Sequence, residues 1–455
     1  MFEIVRESNE YGGDYAVEQH IGELIRRKRK EMGLTLQDLA GPQLSVPTIS
    51  NIERGVTRHI SQDKLDYLLN RLGLSLDELK EVAQEEEELE DFFEIKLDQI
   101  NSLILNHCYD EAESRLKALE HEERKKGNPT HLCRLTFFRG KNFMYQKKYD
   151  RAEWEFHNVI RRAKELHVPE ETNLISEAYG NLGYISYYQN NFNAAIRYTK
   201  QALKTFNPNG ERPYLKGRQL HNLALYYERI GKANQAYGLT VEAMSIAQEN
   251  NDYYSLISIY ILKAIIQQNY YNVEDAIETL KEAQKFLHLT NDPKLTGILW
   301  NNLGENYFLT ENYDMAEQCF KTSLSIKHKH LSSEYLIRTF MFLGQISVKR
   351  GLFQKGKEDL HQAVELAEKT ANHKYLSEAL LMLADIYMEL EEKDSAQEVL
   401  EKAFDLAKKH GFSKEHKEAT VLLAQLHEHT DNEKFLKYMG ELYALEKEYV
   451  KGGII

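Results

Sequence analysis

The chain has 455 residues, 42% of them hydrophobic and 28% charged, with a formal net charge of −13. That balance describes a chain that folds, long enough for several domains or one extended repeat array, and it excludes an intrinsically disordered one. No apolar run approaches the ~18 residues of a membrane span and no signal-peptide core opens the sequence, so a cytoplasmic chain without a membrane partner is expected.

The charge is uneven. Residues 20–72 hold nine Lys and Arg against six Asp and Glu, residues 1–19 carry −4, and the remainder carries −12. A basic segment on an acidic body suits contact with nucleic acid at one end only, because Lys and Arg neutralising phosphates supply most non-specific affinity. The three cysteines, Cys108, Cys133 and Cys319, are scattered. They read as buried reduced thiols, not as a disulfide frame or a metal site.

In chain order, residues 1–18 show no periodicity and are expected to be a flexible arm. Ile21 to Glu31 is a basic helix containing Arg26-Arg27-Lys28-Arg29-Lys30. Thr35 then has N-cap chemistry, and Asp38 three residues on completes a capping box. Gly41-Pro42 ends that short helix. Ser45 is a second N-cap, Pro47 falls in the first turn where its missing N–H costs nothing, and Gly55 closes the helix. Ile49 and Ile52 point inward at helical spacing, leaving Val46, Pro47, Thr48, Ser50, Asn51 and Arg54 nearer solvent. Ser61 to Leu72 is a further amphipathic helix, and Leu74 to Leu79 a short fifth one. The layout is that of a helix-turn-helix whose second helix enters a DNA major groove.

Across roughly residues 20–80 this sequence resembles the Xre/Cro-like repressor heads, with Pro42 and Gln43 where a longer second helix usually continues. The resemblance implies base reading by Val46, Pro47, Thr48 and Asn51, and phosphate contacts from Thr35, Arg54, Arg58 and His59. Val46 and Pro47 offer only apolar contact to thymine methyl groups, which leaves direct readout to Thr48 and Asn51 and the rest to DNA shape. The expected domains are the arm (1–18), this head (19–80), an acidic helical linker (81–95) carrying Glu85-Glu86-Glu87-Glu88, and a repeat body (96–450).

The repeat is visible as small residues at Gly140, Gly183, Ala224, Ala264, Gly304, Gly344, Ala384 and Ala424, at a period that settles to 40 residues. Twelve positions after each of the first seven comes another: Ala152, Ala195, Ala236, Ala276, Ala316, Gly356 and Ala396. The clearest unit, Trp300-Asn-Asn-Leu-Gly-Glu-Asn-Tyr307, resembles the tetratricopeptide repeat, although the period exceeds the ~34 residues of the minimal unit and approaches that of HEAT or armadillo repeats. A fainter unit around Ile100, Ala112 and Leu116 makes nine. The expected fold is all-α: a helix-turn-helix domain followed by a right-handed α-solenoid of about nine tetratricopeptide-like repeats. Helical spacing from the small residue puts Tyr184, Arg218, Asn301, Glu305 and Arg338 on the open side of the first helices, with Asn181, Asn222 and Asn302 at the stripe's edge. Asparagine offers both donor and acceptor to a peptide backbone, and arginine holds a carboxylate with two bonds.

No catalytic constellation, cofactor motif or metal-ligand spacing rises above background, so no enzyme activity, cofactor or metal is expected. The pairs His328/His330 and His427/His429 lie at i, i+2, do not share a helix face, and read as surface residues.

Head plus array resembles the peptide-pheromone regulators grouped as the Rap/Rgg/NprR/PlcR/PrgX (RRNPP) family, most of all its NprR type. That resemblance implies a quorum-sensing transcriptional regulator with three partners: operator DNA, a short signalling peptide bound in the repeat groove, and a second copy of itself as a homodimer or higher oligomer. Two alternatives go with it. One is Rap-like binding or dephosphorylation of a response-regulator partner, the other a phage or plasmid repressor sensing its own peptide.

Overall fold

A computed structural model describes the chain except residues 1–5, 8–13, 17–18, 58, 331–332 and 453–455. It divides into two compact units, Met1–Glu155 and Phe156–Ile455.

In the first unit, β1 (Arg6–Glu7), β2 (Asp14–Ala16) and β3 (His59–Ser61) form a three-stranded antiparallel sheet in that order, with Tyr15 opposite the buried Ile60. The expectation of a flexible arm over 1–18 therefore needs correcting at its two strands, and the all-α reading gains one small sheet. Strands of two and three residues satisfy backbone groups without any period to read. Then come α1 (Gln19–Glu31), α2 (Leu36–Leu39), α3 (Val46–Glu53), α4 (Gln62–Arg71), α5 (Leu76–Leu105), α6 (Tyr109–Lys126), α7 (Pro129–Tyr145) and α8 (Tyr149–Glu165), the last crossing into the second unit. Leu24, Ile25, Leu39, Leu44, Ile49, Ile52, Leu65, Leu68, Leu69 and Leu72 form the head's core. At Gly22 a Cβ would stand 2.2 Å from the Ile52 carbonyl oxygen, so the α1–α3 crossing has no room for a side chain.

The expected breaks at 80, 81 and 95 are absent. One 30-residue helix, α5, runs from the Ser75–Glu78 capping box through the acidic run. Its glutamates are good helix formers and no proline or glycine interrupts them, while Phe93, Leu97, Ile100 and Ile104 bury one face against α6 and α7.

The second unit contains α9 (Leu174–Tyr188), α10 (Phe192–Lys204), α11 (Tyr214–Arg229), α12 (Ala233–Glu249), α13 (Tyr253–Tyr270), α14 (Val273–Gln284), α15 (Pro293–Leu309), α16 (Tyr313–His330), α17 (Ser333–Lys349), α18 (Phe353–Lys369), α19 (His373–Glu389), α20 (Lys393–His410), α21 (Ser413–His427) and α22 (Asn432–Gly452). Odd- and even-numbered helices are the first and second members of successive repeats, and from α5–α6 to α21–α22 the described residues hold nine such pairs. The small residues sit where first and second helices cross: Ala195, Ala224, Ala236, Ala264, Ala276, Ala316, Ala384 and Ala396 are all fully buried. A Cβ on Gly304 would press on the Phe320 ring at 2.9 Å, and one on Gly344 on Leu360 at 2.7 Å. Pro129 and Pro293 occupy first turns, as their missing N–H requires.

Two side-chain expectations change. Cys108 is exposed, while Cys133 and Cys319 are buried and burial pushes the Cys319 thiol up to about 11. His427 is buried and stacks on Tyr438 at 6.1 Å, because α22 covers the end of α21; His429 stays exposed.

Candidate functional site

In the head, α3 buries Ile49, Ile52 and Glu53 and turns Pro47 and Arg54 outward, with Val46, Thr48, Ser50 and Asn51 half-buried between them. Ser45 caps it by accepting from the Thr48 amide at 3.3 Å and shares a 2.8 Å hydrogen bond with the Thr48 hydroxyl. Arg54 Nη2 donates to Asn51 Oδ1 at 2.6 Å, and its Nε to the Ser50 carbonyl at 3.2 Å. The Asn51 acceptor is therefore in use, and a two-bond grip on a base requires Arg54 to swing away. Thr35 is occupied locally: its hydroxyl donates to Asp38 Oδ2 at 2.6 Å and accepts from the Asp38 amide. The hydroxyl and, at 2.7 Å, the backbone amide of Thr35, both donating to Asp38 Oδ2, hold the Asp38 carboxyl below the usual carboxylate range. Arg58 lies outside the described residues, and the backbone of His59 is in β3.

The basic run splits in two. Arg26, Arg27 and Lys30 are exposed, whereas Arg29 donates to both Glu53 oxygens at 2.6 and 2.8 Å and to the Leu34 carbonyl at 2.8 Å. This buried pair pins α1 to the end of α3 and is structural. Composition alone did not separate Arg29 from its neighbours; Glu53, an acid at an inward position of α3, was the available signal.

On the first-helix face of the second unit, the expected residues separate into two groups. Tyr184 is exposed and packs on Tyr188 at 4.7 Å, and Asn222 is half-buried. Asn181 is half-buried and donates to the Glu177 carbonyl of its own helix at 3.1 Å. Arg218 is about half-exposed, with its Nε bonded to Asp252 at 2.8 Å and its guanidinium 4.5 Å from the Tyr214 ring. Burial works against both charges, yet their mutual contact keeps Arg218 raised and Asp252 lowered.

The second group is buried: Asn301 is 5%, Asn302 9% and Glu305 3% exposed. The expectation that Asn301 and Glu305 line an open surface is corrected. Asn301 Nδ2 donates to Glu305 at 2.5 Å, Asn301 Oδ1 accepts from Thr339 at 2.7 Å, and Arg338 donates to Glu305 at 2.7 Å. Asn302 donates to the Ile298 carbonyl at 2.8 Å. The cause is that each first helix packs on the first helix of the next repeat, α15 on α17 here. The same polar ladder recurs in Gln219 donating to the Ser176 hydroxyl at 2.9 Å and Asn306 donating to Gln268 at 3.2 Å.

Three buried carbonyl acceptors on these helices, Gln219 Oε1, Gln267 Oε1 and Asn306 Oδ1, have no hydrogen-bond partner, nor does the buried Nδ1 of His221. Burial pushes the His221 imidazole down to about 4. Arg229 is held above its ordinary value despite burial by Tyr187, Glu228 and Tyr375. Periodicity marks none of these residues, because spacing within one repeat does not show which polar atoms the neighbouring helices leave unpaired.

Residues 25–79 match the family model described as Helix-turn-helix, and residues 298–330 and 335–409 match models described as Tetratricopeptide repeat. Residues 184–270 match a model described as Anaphase-promoting complex subunit 5. The transcriptional activator NprA of Geobacillus stearothermophilus is 22% identical over 229 residues, 50% of this chain and 56% of that one. The regulatory protein RapD of Bacillus subtilis (strain 168) is 27% identical over 146 residues, 31% of this chain and 38% of that one. In its head and its repeats the chain is similar to regulators of the RRNPP type. Its fold is also that of the quorum sensor NprR from B. thuringiensis in its apo form, with a TM-score of 0.59 and 16% identity over 79% of this chain and 99% of that one. The chain spans about half the length of NprA and less of RapD. Among its described residues no helix is long and apolar enough to cross a membrane, and no group of three or more His, Cys, Asp or Glu is placed to hold a metal ion.

Proposed function

We propose that this chain is a quorum-sensing transcriptional regulator of the cytoplasm that binds double-stranded operator DNA through α3. A short signalling peptide, held against the first-helix face of the repeats, switches that binding. The observation that carries the DNA reading is the outward face of α3: a doubly capped helix presenting Thr48, Asn51 and Arg54, with exposed Arg26, Arg27 and Lys30 on α1 of the same small domain. Amide and hydroxyl groups at base edges and cations at phosphates are the chemistry of major-groove readout. Two heads in a homodimer fit two half-sites ~34–36 Å apart, or a multiple of that.

For the peptide, support comes from the accessible side chains of the first-helix face, the exposed Tyr184 and the half-exposed Arg218 and Arg338. Arginine holds a carboxylate with two bonds, and an aromatic ring packs on apolar side chains. The peptide shifts the equilibrium only by its differential affinity for the two forms of the protein.

Gel-shift titration of the upstream promoter fragment, with and without synthetic peptides encoded by neighbouring short reading frames, tests both halves. A specific complex whose midpoint moves with one peptide is the expected result. Absence of any salt-sensitive specific complex overturns the DNA reading, and indifference to every peptide overturns the switch. The likeness to RapD favours a second reading, in which the repeats bind a response regulator; release of inorganic phosphate from a phosphorylated regulator distinguishes it.

A further inference from the structure

Two second helices of the array are short: α14 has 12 residues and α10 has 13, whereas α12, α16, α18 and α20 have 17, 18, 17 and 18. Beyond Lys285 the chain leaves the helix through a 3-10 turn at Leu287–Leu289. Phe286 packs inward there, its ring 6.0 Å from Tyr253 and 6.1 Å from Tyr260. The missing turn of helix leaves one side of α15 uncovered. Trp300, Leu303 and Tyr307, which share a face at i, i+3 and i+7, floor a cavity of about 670 Å³. Its walls are Lys281, Gln284, Lys285, His288 and Met315.

Of the eight lining residues, Trp300 and Tyr307 are aromatic and Lys281 and Lys285 are cationic. The Lys281 ammonium lies 5.9 Å from the centre of the Tyr307 ring. Lys285 reaches Glu282 at 2.7 Å on the same helix, but no carboxylate lines the cavity itself. Two lysines, one of them paired with Glu282, and the N–H and N groups of a histidine stand beside a half-buried indole, with no acid in the lining. A polar rim, with Lys281 as its cation unpaired among the described residues, thus borders a flat apolar floor.

We propose that this cavity binds a small ligand that joins a planar ring to a phosphate, an aryl or nucleotide monophosphate. The ring lies against Trp300 and Tyr307, and the phosphate meets Lys281, Lys285 and His288. Ammonium groups are point-charge binders of phosphate, aromatic faces stack on planar rings, and the volume falls within the ~300–1,000 Å³ of small-molecule sites. At ~100° per residue, Asn301 and Glu305 lie ~100–140° round α15 from Trp300. A ligand here therefore leaves the first-helix face clear, and the site stands apart from peptide binding.

The chain has two tryptophans, Trp154 and Trp300, so Trp154→Phe in the full chain makes Trp300 the sole indole reporter. Titration with adenosine monophosphate, phenyl phosphate, adenosine and inorganic phosphate reads the site directly. Saturable quenching by the two ring phosphates is expected, with adenosine and inorganic phosphate each weaker by roughly tenfold or more. Adding Lys281→Ala and Lys285→Ala, both exposed, is expected to weaken binding by roughly tenfold with an unchanged melting curve. Preference for adenosine monophosphate over phenyl phosphate assigns a nucleotide, and equal affinity assigns aryl phosphates as a class. Quenching that the lysine substitutions leave untouched, or no saturable quenching by either ring phosphate, overturns the proposal.

Discussion

The reading helix of the head and the first-helix face of the repeats were open to the same kind of spacing argument, with different results. On α3 the residues pointed outward by helical geometry are the ones left accessible, because the core beneath them is formed by Leu39, Leu44, Ile49 and Ile52 within a few turns of chain. On α15 the same arithmetic selects Asn301 and Glu305, yet both are covered by α17, whose Thr339 and Arg338 lie 38 and 33 residues further on. In a motif closed on itself, spacing settles exposure. In a stacked array the next repeat settles it, and nothing within one repeat says which polar residue the neighbour will use.

The largest effect that sharpens this contrast is in the head. Glu53→Gln leaves the Arg29 guanidinium buried without its counter-charge, and breaking such a pair costs about 3–5 kcal/mol. Denaturant unfolding of the full chain should show an early transition of that size. A variant that melts normally but loses operator affinity would instead make Arg29 a DNA contact.

Next come two substitutions of similar size with opposite readouts. Asn301→Ala removes a buried acceptor for Thr339 and a buried donor to Glu305 and should cost ~1–3 kcal/mol of stability. Asn51→Ala removes a candidate base contact and should cost ~1–3 kcal/mol of specific DNA affinity, while as a partly exposed surface change it stays within ~0.5 kcal/mol in stability. Melting curves and gel shifts on both variants separate the roles. If Asn301→Ala melts like the parent and only peptide response falls, the buried ladder is less important than the groove.

What could be read in advance follows the same division. The Thr35–Asp38 box, the Ser45 cap and the buried small residues from Ala195 to Ala396 are local or strictly periodic, and each is where spacing places it. The strands at Arg6–Glu7 and Asp14–Ala16 were not legible, because the first pairs only with the second, the second is anchored on a three-residue segment more than 40 positions away, and such short strands carry no alternation. The break of α14 was equally hidden: Lys285 to Leu289 lacks proline and glycine, and only the inward packing of Phe286 on α13 marks where the helix gives out.

Histidines extend the comparison to the two units. In the first, His131 is buried between Glu123 at 2.6 Å and Glu90 at 2.8 Å and stacks on Phe93 at 3.7 Å. Burial opposes its charge, but the hydrogen bonds it donates to both carboxylates outweigh that and raise its pKa. A raised histidine contributes stability that is complete below its ordinary value of ~6.5 and is lost as pH climbs through the folded value. In the second unit His221 sits lower, at about 4, from burial alone. Its contribution is complete above ~6.5 and is lost as pH falls towards 4. Hydrogen exchange between pH 5 and 8 should show α5–α7 loosening at the alkaline end and α11 at the acid end, with His131→Gln abolishing the first trend alone.

The smallest expected effect concerns the loops that turn each first helix into its second. Gly231 and Gly351 adopt left-handed backbone there with φ of 74° and 72°, and Glu311 and Glu391 occupy the equivalent place with φ of 59°. A side chain in that region costs ~1–2 kcal/mol from the contact of Cβ with the following carbonyl. Glycine avoids that contact but loses more entropy on folding. The balance favours Glu311→Gly and Glu391→Gly by ~0.5–1 kcal/mol each, whereas Gly351→Ala should lose about as much. Because the two turns belong to different, non-adjacent repeats, the gains should add in the double variant. Unfolding midpoints that fall on introducing glycine would mean that the glutamate side chains stabilise these turns more than the strained backbone costs them.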